Sequence, residues 1–151
     1  MAAFEFDEAA FAQALDRIQG ALVVTAADIR VAVTGMVTTM VTRTLAGQSI
    51  GGAPFAGYAP ATQRSRSARG RTTGPVTLSD TGAMLAAIQQ RIEGDRAVIF
   101  FSSRSAGERA RYLHEGTSRM PARPWFGFSA AEELDAAELI ARRIARRIED
   151  V

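Results

Sequence analysis

His114-Glu115-Gly116-Thr117-Ser118-Arg119-Met120-Pro121-Ala122-Arg123-Pro124-Trp125-Phe126-Gly127-Phe128-Ser129 is the stretch on which the reading of this chain turns. Gly116 is placed to stop a short helix predicted over residues 106–115, because glycine tolerates the left-handed backbone that helix C-termini favour. Residues 117–123 read as a loop. Pro121 and Pro124 then hold the chain extended and leave Arg123 clamped between them. Trp125, Phe126 and Phe128 are expected to anchor this extended piece to the core, and Ser129 with Glu132 has the spacing of a capping box that opens the last helix. One guanidinium is thereby fixed in space. Arg123 either satisfies carbonyls of its own chain or reaches an acidic group on a neighbour.

Downstream of Ser129, the apolar residues Leu134, Ala137, Ile140 or Ala141, Ile144 and Ile148 recur at helical spacing and are expected to be a buried stripe. Glu132, Glu133, Asp135 and Glu138 occupy the first half of this helix and Arg142, Arg143, Arg146 and Arg147 the second, the sense that complements a helix dipole. Those four arginines read as an exposed, solubilising face. Upstream, residues 87–92 and 96–103 are rich in Ile, Val and Phe and flank Glu93-Gly94-Asp95, which predicts a β-hairpin. Residues 78–85 read as a turn and a helical turn, with Ser79 or Asp80 as cap.

The N-terminal part is predicted helical. Asp7 opens a helix with Phe11, Leu15, Ile18 and Leu22 on one face, ending near Gly20. Thr25-Ala-Ala-Asp28 is a capping-box variant, followed by Ile29, Val33, Met36, Val37, Met40, Val41 and Leu45 at helical spacing and closed by Gly47. Between residues 47 and 77 the periodicity vanishes among glycines, prolines and small polar residues. This predicts a long flexible loop whose second half, with Arg64, Arg66, Arg69 and Arg71 and no acid, is basic and open to trypsin.

The expected fold is therefore α+β: a long N-terminal helix, a small antiparallel β-sheet with a hairpin, a C-terminal helix and a long flexible basic loop. A chain of 151 residues with no cysteine is expected to form one domain on an apolar core, without disulfide, zinc-thiolate or iron-sulfur support. Alanine accounts for 29 residues, so that core is modest. All 18 basic residues are arginine, which excludes phosphate-loop, kinase and Schiff-base chemistry that needs an amine. The sequence pI of about 9.9 accompanies a formal net charge of only +2, so it argues little for nucleic-acid binding. Neither a signal peptide nor a membrane span is expected, since Asp28, Arg30 and Arg43 interrupt the most apolar region.

No catalytic constellation assembles from the residue types present. His114 has no partner at metal-ligand spacing and reads as structural or interfacial. Ser102, Ser103 and Ser105 lack a nucleophile elbow, and residues 47–57 lack dinucleotide-binding spacing. The Arg64, Arg66, Arg69, Arg71 cluster is either a solvated loop or a contact for phosphates or an acidic surface.

Several motifs together resemble the tailed-bacteriophage virion-morphogenesis family, the tail-completion or neck proteins of the Mu-like group, and head-tail joining proteins more widely. They are Glu115-Gly116-Thr117; Pro121-Ala122-Arg123-Pro124-Trp125 with Gly127 and Ser129; Gly52-Ala-Pro-Phe-Ala-Gly-Tyr-Ala-Pro-Ala-Thr62; and Leu78-Ser-Asp-Thr-Gly82. Order and spacing agree from Gly52 to the C-terminus. Phe55 and Gly57 stand where the family pattern has Trp and Pro, and Trp125-Phe126 where it has Phe-Leu. The resemblance implies a non-enzymatic structural protein without cofactor, assembled in the host cytoplasm into the virion neck or tail end. Its implied partners are copies of itself in a ring, as a hexamer, other neck and tail proteins, and genomic DNA in passage, but no membrane. The residues expected at subunit interfaces are Arg64, Arg66, Arg69, Arg71, Glu115, Arg119, Arg123 and Trp125. The rival expectation is an Arg-rich nucleic-acid-binding module.

Overall fold

A computed structural model describes residues 8–150 of the chain. Thr25 is its first firm boundary. The Thr25 hydroxyl accepts from the Asp28 backbone N–H (3.2 Å) while the Asp28 carboxylate accepts from the Thr25 N–H (2.9 Å), a capping box that separates helix α1, Glu8–Leu22, from α2, Ala26–Leu45. Asp7 lies outside the described residues, as does the side chain of Phe11. Gly20 does not end α1, which runs on to Leu22. The expected apolar face of α1 is present but unburied: Leu15, Ile18 and Leu22 are 41%, 38% and 53% exposed.

α2 is the spine of the molecule. Met40 and Thr44 face inward at its C-terminal end, with the Thr44 hydroxyl donating to the Met40 carbonyl at 2.8 Å. The hairpin expected from the sequence follows as β1, Ile88–Glu93, and β2, Arg96–Phe101, antiparallel with Ile88 opposite Phe101 and Glu93 opposite Arg96. Gly94 turns the chain with φ +63°, the conformation that the first central residue of a type II′ hairpin requires. Both strands lie against α2. Helix α5, Arg104–Glu115, starts two residues earlier than expected because Ser103 caps it, accepting from the Ala106 N–H.

The C-terminal helix α6, Ala130–Glu149, opens on the expected Ser129–Glu132 capping box and packs on α2 and α1. Its inward face matches the expected stripe only in part: Ile140 and Ile144 are half-buried, whereas Leu134, Ala137 and Ile148 are exposed. No α6 residue is fully buried, and Leu134 is 59% exposed. Beside Ile140 and Ile144, Glu132, Ala136, Leu139, Arg143 and Arg147 also turn inward, because α6 is fastened by ion pairs through Glu132, Arg143 and Arg147 as well as by apolar contact.

The loop expected over residues 47–77 is the largest correction. Helix α3, Pro60–Ala68, lies within it, begun by Pro60 at the first helical position. Phe55 and Val76 from the same segment are buried in the core with Met40, Leu78, Met84, Ala110 and Trp125. The segment is thus pinned on both sides of α3. Helix α4, Ala83–Ala86, is a single turn entered through Gly82, and neither Ser79 nor Asp80 caps it.

Within residues 12–45 an 18-residue window has mean hydropathy 1.6, long and apolar enough in composition to cross a membrane. The helix break at Val23–Thr25 and the ion-paired Asp28 fall inside that stretch.

Candidate assembly surface

Gly116 adopts φ +78°, and a Cβ there would meet Ala122 N at 2.6 Å and Met120 O at 2.9 Å. Only glycine fits. The chain then reverses through Thr117 and Met120, whose backbones exchange hydrogen bonds at 2.9 and 3.2 Å, and this leaves Ser118 and Arg119 at the tip of a tight turn. The Arg123 backbone N–H bonds the Leu113 carbonyl, so the extended Pro121–Pro124 piece is tied to the end of α5.

From there Arg123 turns inward and is buried. Its Nε and one terminal nitrogen donate to the carbonyls of Ala56 and Gly57, both at 2.9 Å, and its guanidinium lies 5.9 Å from the Tyr58 ring. Burial pushes its pKa down from the ordinary arginine range, against the opposing effect of Tyr58. Of the two expected roles, the structure assigns the first, carbonyls of its own chain. Trp125 is wholly buried; its indole N–H donates to the Ala110 carbonyl at 3.2 Å, and its ring meets Phe101 and Phe126 edge-on. Arg43 of α2 locks the next residues by donating to the Gly127 carbonyl and the Glu132 carboxylate. His114 is structural, its Nδ1 accepting from the Phe126 N–H at 3.3 Å.

The four arginines 64–71 do not sit together on a mobile loop. Arg66 on α3 is buried: it donates to the Thr72 carbonyl at 2.8 Å and to Asp80 at 3.0 Å, and stacks 4.7 Å from the Tyr58 ring. Arg69 approaches Asp80 at 3.7 Å, while Arg71 pairs with the Asp80 carboxylate and donates to its backbone carbonyl. Burial tends to raise the Asp80 pKa, but the hydrogen bond from Arg71 and the charges of Arg71, Arg69 and Arg66 outweigh it and lower it. Arg64 and Arg119 are exposed, and Glu115 is exposed and approached by Arg111 at 3.5 Å.

The expected interface set therefore divides. Arg66, Arg123 and Trp125 are internal to the subunit and present no surface to a neighbour, because each is consumed by partners at home. Arg64, Arg69, Arg119 and Glu115 are exposed, with Arg71 partly so. α3 and the 117–120 turn bound a cleft of about 300 Å³, whose lining combines Tyr58, Leu113, Met120 and Pro121 with Arg69 and Arg119.

A second arginine centre was not foreseen in the sequence. Arg143 and Arg147, one helical turn apart on α6, each reach a different oxygen of Asp28 at 2.8 Å, and Arg147 also bonds the Val23 carbonyl. These two are not a solubilising face. Their i, i+4 spacing signalled a shared direction, but nothing local named the partner. Among the described residues no group of His, Asp and Glu side chains is arranged to hold a metal ion. No protein-family model, curated protein or solved structure matches this chain.

Proposed function

We propose that this chain is a structural subunit of the neck or tail end of a tailed bacteriophage, acting by assembly into a ring, sixfold as suits a tail, that completes the tail or joins it to the head. The reading rests first on the resemblance of the chain from Gly52 to the C-terminus to virion-morphogenesis proteins. The motif residues Gly116, Arg123 and Trp125 earn their places physically, as an obligatory glycine, a carbonyl-binding cation and the centre of the core. The observation that carries the assembly half is α1, whose apolar face of Leu15, Ile18 and Leu22 is left exposed by its own subunit. Exposed apolar faces of this kind mark interaction surfaces. A ring subunit uses them in heterologous contacts, one face against a different one on the next copy.

The nucleic-acid-binding alternative keeps fewer cations than its sequence promised, since Arg66, Arg69 and Arg71 converge on Asp80. Steep salt dependence of duplex affinity in the isolated protein would favour it. Deletion of the gene from a producing phage should leave DNA-filled heads and separate or overlong tails. Complete, infectious particles, or a block before any particle forms, would overturn the neck assignment.

A further inference from the structure

Helix α1 is an arm with little support at home. Among its described side chains only Ala21 is buried, while Leu15, Ile18 and Leu22 stay about half exposed, and its packing is chiefly against α6. At 1.5 Å per residue it extends roughly 22 Å, against a radius of gyration of roughly 15 Å for a domain of this length. It is long enough to reach a neighbouring copy.

The sequence ahead of it is Phe4-Glu5-Phe6-Asp7, in which aromatic and acidic residues alternate and no base occurs. Such a segment offers two phenyl rings and two carboxylates. The cleft between α3 and the 117–120 turn has the complementary chemistry, its lining combining Tyr58, Leu113, Met120 and Pro121 with the exposed Arg69 and Arg119. Asp80, the acid at its wall, is already neutralised by arginines. Arg119 is held by no ion pair among the described residues and sits at the tip of a turn shaped by Gly116.

Resting on the ring reading, we propose that residues 4–7 of one copy seat in this cleft of the adjacent copy. The phenyl rings cover the apolar lining and the carboxylates meet Arg69 and Arg119. The contact is heterologous, so repeating it generates a ring or a filament. It gives a role to the exposed arm, the acidic tip and the unpaired arginine together.

The absence of cysteine makes engineered disulfides a clean reporter. A full-length chain carrying Ala3→Cys and Ser118→Cys, beside the proposed contact but outside it, should oxidise to a ladder of covalent multimers, while neither single variant passes a dimer. A monomer closed by an internal disulfide, or no product beyond that of the single variants, overturns the proposal. In sedimentation equilibrium, Arg119→Glu should weaken self-association by roughly tenfold or more, and adding Glu5→Arg and Asp7→Arg in the same chain should restore it. If the wild-type chain assembles and neither Arg119→Glu nor removal of residues 1–7 changes the association constant, the arm contact is wrong and the ring reading survives. If Arg119→Glu abolishes binding to a short DNA duplex while sedimentation is unchanged, the cleft is a phosphate site and the proposal falls. A wild-type chain that is monomeric both in solution and within the particle removes both readings.

Discussion

Two aspartates in this molecule are each held by a fan of arginines, yet one is at 0% exposure and the other has a side chain 45% exposed. Asp28 caps α2 and binds Arg143 and Arg147 of α6, so a single carboxylate joins the α1–α2 corner to the far end of the chain. Asp80 gathers Arg66, Arg69 and Arg71 around the start of the α4 region, at the surface. Both carboxylates are held below the usual range. For Asp28 the Thr25 backbone hydrogen bond leads, then Arg143, with burial opposing and the Thr25 hydroxyl and Arg147 adding. The chemistry is alike; access to water is not. A buried carboxylate stripped of its partners has no solvent to replace them, whereas an exposed one does.

The comparison breaks if the two centres respond alike. Asp28→Ala should have the largest effect, a loss of about 3 kcal/mol in chemical unfolding, since it strands two arginines and removes the carboxylate half of the capping box together. A loss well below 1 kcal/mol would mean that α6 is held by its apolar contacts alone. Acid should act on the same centre more gently. The folded-state pKa of Asp28 is depressed, so its contribution is complete above the ordinary value of 3.8 and is lost as pH falls below that value toward the folded one. Thermal melts from pH 5 downward should show this decline in the wild type, and the decline should be shallower in Asp28→Ala.

Arg123 sharpens the contrast, being a buried charge with carbonyl partners and no acid. Arg123→Ala should cost about 2 kcal/mol in stability by loss of two charge-assisted bonds. Wild-type unfolding together with wild-type assembly would deny it that role. The smallest effect is expected at the surface. Asp80→Asn should leave the Tm within about 2 °C of wild type, and 1 M NaCl should erase the remaining difference. A larger drop would show that the buried Arg66 depends on Asp80 more than on Thr72 and Tyr58.

Where the sequence reading succeeded and failed follows the range of the forces involved. The residues 114–129 were legible because each signal was local: a glycine stop, paired prolines, an aromatic anchor and a cap three residues from its partner. The hairpin was legible through Gly94 and its flanking β-formers. α3 was missed because its sequence, Pro60-Ala-Thr-Gln-Arg-Ser-Arg-Ser-Ala68, has no apolar stripe to read. It is held through Arg66, whose partners Thr72, Asp80 and Tyr58 lie outside the helix. The stripe assigned to α6 held at Ile140 and Ile144 but was misplaced at its ends for a related reason, because two inward-facing arginines read locally as a wet face.

By itself, then, the sequence determined the capping boxes at Thr25 and Ser129, the glycine turns at Gly94 and Gly116, the α+β order of elements and the burial of Trp125. These depend on contacts within a few residues or on a side chain too large and apolar to leave in water. Only the tertiary structure decided which arginines are spent inside the subunit and which remain for partners. Arg143 and Arg147 find Asp28 across 115 and 119 residues of chain, and Arg123 finds the carbonyls of residues 56 and 57 across 67 and 66. A guanidinium carries the same charge and donors wherever it stands, so its role is set by what the fold brings within about 3 Å of it.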